Sequence, residues 1–310
     1  MLAVDGRFAE GLRRTGRCPV VLVTAVLAVG VTVLWWSGRD IGILFGTPAA
    51  ARGEPWRLLT SALPHLDILH LLFNLYWLVF LGTAVETTFG SPRTLGLVVL
   101  MAAASSAWQS ALSGSGVGLS GVGYGLFGML WVLERTDPRF HGAVDRGLVE
   151  MFVGWFLLCC ALTWAGIWNV GNAAHASGAV VGALAGAAAS RGVRRRAVFG
   201  AAAVLFLAGG IGWMRIGSPG MPAGAMEAWK GYEALEAKRY PEAEASWREA
   251  VARNPADASY RYNLGVALHR QSRWREALAA FREAERLAPD EISFREAADQ
   301  LDGWLQSGGK

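Results

Sequence analysis

Four side chains in otherwise apolar surroundings carry most of the chemistry this sequence could perform: His70, Asn74, Ser120 and His175. A serine hydroxyl is a weak nucleophile until a base takes its proton, and a neighbouring imidazole is the partner it needs. Ser120 follows the loop Ser113-Gly114-Ser115-Gly116-Val117-Gly118-Leu119, and His175 opens a later segment rich in Ala and Gly. Asn74 lies four residues after His70, so on a helix the two share one face about a turn apart. Each has an ordinary reading when taken alone. Ser120 would serve helix packing, His70 or Asn74 an interhelical hydrogen bond, and His175 a structural bond or a proton path. Strongly polar groups are costly inside a membrane, so their grouping at one level points to a shared site.

The elements that must position them belong to a chain of 310 residues, 53% hydrophobic and only 17% charged, which excludes a single soluble globule. Charge is segregated: residues 227–302 are dense in Glu, Asp, Arg and Lys, while the preceding part holds long uncharged runs. A hydrocarbon core of about 30 Å calls for roughly 20 apolar helical residues. The sequence predicts seven spans, over 19–37, 66–86, 94–112, 118–133, 148–165, 173–190 and 197–214. The first reads as a retained span, because it is longer than a signal peptide's apolar core and no small-x-small cleavage site follows it.

Arginine placement in short loops sets the orientation. With the N-terminus inside, the inner segments hold Arg7, Arg13, Arg14, Arg17, Arg93, Arg135, Arg139, Arg146, Arg191, Arg194, Arg195 and Arg196. The outer side holds Arg39, Arg52, Arg57 and Arg215. A cytoplasmic N-terminus follows and, with an odd number of spans, a C-terminal part outside. Spans two, four and six then run inward, and His70, Ser120 and His175 fall within their first few residues, with Asn74 about two turns in. At about 1.5 Å per residue all four lie at similar shallow depth on the outer side.

Glycines add a second constraint. Gly178, Gly182 and Gly186 recur every four residues on span six, and span four offers Gly121 and Gly125 beside Ser120. Small residues at this spacing let membrane helices approach closely. Packing spans four and six through them would bring Ser120 and His175 together.

No cofactor or metal is indicated, since neither His-x₃-His nor paired-Cys ligand spacing occurs. Cys18, Cys159 and Cys160 read as buried residues with no disulfide framework. The formal charge of +4 is modest and its arginines sit in loops between spans, so no nucleic-acid partner is expected.

The tail repeats itself with a period of 34 over about 224–289. Gly231 answers Gly265, Tyr240 answers Trp274, Ala243 answers Ala277, Trp247 answers Phe281, Ala250 answers Ala284 and Pro255 answers Pro289. This resembles the tetratricopeptide repeat (TPR), whose small residues let paired helices approach while aromatics fill the gaps. A further helix at about 291–306 would cap the stack, and such a stack implies a peptide or protein partner.

The membrane part resembles the rhomboid family of intramembrane serine proteases. The resemblance rests on Trp56-Arg57, His65, His70-Leu71-Leu72-Phe73-Asn74, Gly118-Leu119-Ser120-Gly121 with Tyr124, and Asn172, Ala174-His175 and Gly178. It implies a Ser120–His175 dyad with no acidic third member, and His70, Asn74 and the Ser120 N–H stabilising the oxyanion. Gly118 and Leu119 would shape that hole, and Tyr124 would pack on the His175 ring. Asn172, Gly178 and His65 would support the site, with His65, Trp56 and Arg57 structural or loop-positioning. The implied substrates are single-span membrane proteins in lipid, cut near the outer end of a helix. Helical backbone groups are already paired, so such a helix must unwind before its carbonyls can be attacked.

The expected fold is therefore all-α: a polytopic membrane helix bundle with a six-span core, a seventh span and a small soluble α-helical TPR domain. The expected divisions are a cytoplasmic segment 1–18, a protease core 19–190, a basic loop and seventh span 191–216, and repeats 222–306. Two rivals stand beside this reading. A catalytically inactive rhomboid-like client-binding protein would typically have lost the serine or the histidine. A channel or transporter would spread its titratable groups through the membrane depth.

Overall fold

The computed structural model describes residues 16–45, 54–114, 116–168, 170–190, 192–216 and 223–308, and every regular element among them is a helix. Seven long helices occupy the predicted spans: α1 (Pro19–Trp36), α3 (Ile68–Phe89), α4 (Ser91–Leu112), α5 (Ser120–Thr136), α6 (Arg146–Trp164), α7 (Asn172–Ala189) and α8 (Val193–Ile216). A single turn, α2 (Arg57–Thr60), lies between the first two. Observed ends depart from the expected ones by up to four residues, as at Val193 against a predicted 197. Capping and turn chemistry set helix ends, whereas hydropathy registers only their apolar middles. Asp67 accepts the His70 N–H at 2.8 Å to start α3, and Asp145 accepts the Leu148 N–H at 2.8 Å to start α6. Gly90, at φ 79°, ends α3 and lets the chain turn directly into Ser91-Pro92 of α4. Arg7, Arg13, Arg14, Arg52 and Arg191, used above for orientation, lie outside the described residues.

Five of these helices (α1, α3, α4, α6 and α8, the last taken from Arg196 to Met214) are long and apolar enough to cross a membrane. Only 17% of the most apolar stretch of α1, α6 or α8 is buried, against 56% for α3 and 50% for α4. The outer helices expose residues such as Val26, Leu157 and Leu205, as expected where lipid is the solvent. The remaining two are α5, with 17 residues and most of them buried, and the Ala/Gly-rich α7, which buries the face that bears His175, Gly178, Gly182 and Gly186.

One charged residue explains how α1 is held. The Glu86 carboxylate, 2% exposed, accepts the N–H groups of Val20 at 3.0 Å and Val21 at 2.9 Å. It caps a helix start that no local side chain caps. Glu86→Leu leaves those amides buried and unpaired, so it is expected to destabilise the bundle by about 1–3 kcal/mol. A fall in the thermal unfolding midpoint of detergent-solubilised protein would register that loss.

The residues after 220 form a second compact unit. It comprises α9 (Ala225–Glu236), α10 (Tyr240–Arg253), α11 (Ala258–Arg270), α12 (Trp274–Leu287) and α13 (Ile292–Gln306). The repeat is literal. Gly231 lies under the Trp247 ring and Gly265 under the Phe281 ring, each too close for a Cβ. Lys238 and Ser272, one period apart, both take φ near +60° in the turn between paired helices. Arg273 bonds Glu244 at 2.6 Å to join the repeats, and Arg282 reaches Asp299 at 2.8 Å and Asp302 at 3.1 Å to hold α13 as a cap.

Candidate active site

The site is built on the contact between α5 and α7. A Cβ placed on Gly178 would collide with the Gly121 carbonyl oxygen, and one on Gly182 with that of Gly125. On Gly186 it would come within 2.6 Å of the Met129 carbonyl oxygen. The reciprocal contact is Gly128 against the Ala179 carbonyl. The two backbones therefore touch, as the glycine spacing predicts, and the start of each helix faces the other. Ser120 is the first residue of α5 and His175 lies in the first turn of α7.

Ser120 Oγ lies 2.9 Å from His175 Nε2. The imidazole is buried and stacks on the Tyr124 ring with centroids 4.6 Å apart and planes inclined by 18°. Tyr124 is fixed in turn by its hydroxyl, which donates to the Phe152 carbonyl of α6 at 3.0 Å. The far ring nitrogen, His175 Nδ1, is buried without a hydrogen-bond partner among the described residues. Among the described residues no carboxylate bonds this nitrogen, and the ring is held by its stacking on Tyr124.

His70 and Asn74 stand across from this pair on α3. All of them line one cavity of about 1180 Å³, together with Gly118, Tyr124 and Gln109. The Asn74 amide donates to the His70 carbonyl at 2.8 Å, which fixes its side chain along the helix. Gly118 takes φ +106°, and a Cβ there would meet His70 Cε1 at 2.7 Å, so the missing side chain is what admits the imidazole. The loop is clamped from the other side by His65, fully buried: its Nε2 accepts the Leu119 N–H at 3.3 Å while Nδ1 lies 2.9 Å from the Leu63 carbonyl. The Leu119 amide is thus engaged, and Leu119 bears on the site through the placing of the loop. The Ser120 N–H is one of the donors at the start of α5, a helix no side chain caps.

Asn172 and Arg57 serve as ties. Asn172 Nδ2 donates to Thr163 Oγ1 at 2.9 Å, joining the start of α7 to the end of α6. Gly178 works through the helix contact above. Arg57, buried, reaches the Gly42 carbonyl at 2.7 Å and pairs with Glu54, which shapes the first loop, whereas Trp56 is exposed. Sequence reasoning passed over Gln109 and Glu86. Buried Gln109 on α4 accepts the Ala174 N–H at 3.1 Å, next to His175. Each stands out as a strongly polar residue within an apolar run, but its role depends on which helix lies beside it.

A helical bundle of apolar spans with a serine–histidine pair lining a largely apolar cavity is an arrangement shared with known membrane proteins. Residues 52–192 match the Rhomboid domain family, and residues 230–292 match the Tetratricopeptide repeat. Rhomboid protease GlpG of Enterobacter sp. (strain 638) is 31% identical over 194 residues, covering 61% of this chain and 69% of that protein. Rhomboid protease GlpG of Salmonella paratyphi A is 32% identical over 166 residues, 53% of this chain and 57% of the relative. That of Yersinia pseudotuberculosis is 32% identical over 171 residues, 54% and 61% respectively. The chain therefore spans 57% to 69% of the length of these relatives. It belongs to the rhomboid family of membrane proteases, with TPR repeats following the rhomboid domain.

Proposed function

We propose that this protein is a serine endopeptidase that cleaves transmembrane segments of other membrane proteins with Ser120 and His175. The observation that carries the reading is the 2.9 Å approach of Ser120 Oγ to His175 Nε2 in a largely apolar cavity that also presents His70 and Asn74. In the acylation step His175 Nε2 takes the hydroxyl proton as Oγ attacks the scissile carbonyl, then gives that proton to the leaving amine. Water hydrolyses the acyl-enzyme by the same route in reverse order of partners. Purified protein in liposomes with a single-span reporter substrate tests this: a product band is expected, and no product over hours at high enzyme would count against it.

The tetrahedral oxyanion is assigned to the Ser120 N–H, the His70 imidazole and the Asn74 amide. A preorganised donor of this kind is worth about 3–4 kcal/mol in the transition state. Asn74→Ala is therefore expected to lower kcat on the order of 10²-fold with KM little changed. His70→Ala should do likewise. A rise in KM alone would move both residues from transition-state stabilisation to substrate binding.

The cavity continues between α3 and α6, where Phe73 lies 5.5 Å from Trp155 and Trp77 4.9 Å from Phe152, ring to ring. Entry of a substrate helix along this seam suits a gate held by side-chain rings. The catalytic core is taken as 19–190, with 191–216 as a basic loop and seventh span and 222–306 as a domain for a peptide or protein partner. The protein is placed in a bacterial inner membrane, N-terminus in the cytoplasm and repeats outside. A reporter fused after Lys310 should be active only outside the cytoplasm; activity inside would reverse the placement.

A further inference from the structure

We infer that the seventh long helix, α8, is a positioning element of the active site, acting on His175 through the adjacent residues Trp108 and Gln109 of α4. The inference deepens the protease reading, and its activity arm rests on that reading.

α8 does more than lie alongside the bundle. Leu207, Ile211 and Met214, at helical spacing along one face, pack with the alanine row Ala103, Ala107 and Ala111 of α4 and with Leu58 of α2. In the middle of this contact the Trp108 indole N–H donates to the Phe206 carbonyl at 3.0 Å, and the two rings lie 5.2 Å apart. Gly210 lets α8 come this close, since a Cβ there would lie 3.1 Å from Trp108 Cδ1 and Nε1. A tryptophan N–H bonded to a mid-helix carbonyl of another span fixes both the height and the rotation of α4 against α8.

The next residue faces a different neighbour. Successive helical positions are turned by about 100°, so when Trp108 meets α8, Gln109 is turned toward the start of α7. There its Oε1 accepts the Ala174 N–H at 3.1 Å. A Cβ on Gly171 would lie 3.4 Å from that same oxygen, and one on Gly116 would lie 2.8 Å from Gln109 Cγ. The glutamine is thus fitted between the loop before Ser120 and the helix bearing His175. It supplies an acceptor to one of the first-turn amides that a helix leaves unpaired. Turning α4 by even part of a residue withdraws that acceptor and loosens the turn holding His175. The chain of contact runs Phe206 to Trp108, along the backbone to Gln109, then to Ala174 and His175.

Full-length protein in liposomes tests this with two readouts. Trp108→Phe keeps the ring and removes the N–H, Gln109→Met keeps the length and removes the acceptor, and Gly210→Leu acts from α8 alone. Each is expected to speed hydrogen exchange at the Ala174 amide by roughly five- to ten-fold, the loss of about one hydrogen bond. Each should also lower kcat on the order of ten-fold with KM nearly unchanged. Trp108→Phe should add little to Gln109→Met, since both act on one contact. Unchanged exchange at Ala174 in folded Trp108→Phe would overturn the inference, as would additive losses in the double variant. Should Gly210→Leu fail to fold, Trp108→Phe and Gln109→Met still decide it. Wild-type protein that cleaves nothing would count against the protease reading, and Ala174 exchange would still settle the role of α8.

Discussion

Gly182→Val is expected to remove activity altogether and to lower the thermal unfolding midpoint of the solubilised protein by many degrees. Its Cβ would fall on the Gly125 carbonyl oxygen, with the Gly125 carbonyl carbon 2.6 Å away. Overpacking typically costs about 1–3 kcal/mol when flexible side chains can yield. Here the obstacle is backbone within a helix, which yields only if α5 and α7 separate. Separation also parts Ser120 from His175, so stability and activity should fall together. Gly154→Ala on α6 is the control, because nothing lies within 4 Å of a Cβ there. Replacing glycine by alanine in an exposed helix is favourable by about 1 kcal/mol, so that variant should fold at least as well as the parent. A Gly182→Val protein with parental stability would mean that the two helices pack elsewhere.

Ser120→Ala and His175→Ala should each reduce cleavage on the order of 10⁴-fold or more, and the double variant should be scarcely worse than either. The reason is chemical: without the imidazole the hydroxyl keeps its proton, and without the hydroxyl the imidazole has nothing to activate. Neither substitution should unfold the protein. Ser120 sits at a helix start with its backbone role intact as alanine, and the His175 ring is held mainly by stacking on Tyr124. The informative measurement is a substrate-cleavage time course run beside a thermal melt of the same samples. Independent, multiplying losses would indicate that the two residues act at separate steps.

Much of this site was legible in the sequence because its determinants are local in kind. Glycines every four residues announce a helix contact whatever surrounds them, and the α5–α7 contact forms through Gly178, Gly182 and Gly186. The repeat unit was equally readable, since each Gly231 or Gly265 needs its own aromatic partner one helix later. Roles that depend on which helix lies next door were not readable. Gln109 becomes meaningful only when α4 places it beside Ala174, and Glu86 only when the start of α1 arrives over it. The Leu119 amide illustrates the same limit. Its acceptor is the His65 ring, far away in sequence, which holds the loop that leads into Ser120. The helix ends, too, depended on single caps such as Asp67 and Asp145, whose bonds to first-turn amides an averaged hydropathy does not register.

Ser120 as a nucleophile made reactive by His175 can be tested without knowing any substrate. Wild-type protein in liposomes is treated with a fluorophosphonate, digested, and the adduct located by mass spectrometry. The prediction is one covalent adduct, on Ser120, lost in His175→Ala although Ser120 remains. An adduct on another residue, or equal labelling of Ser120 with and without His175, would contradict it.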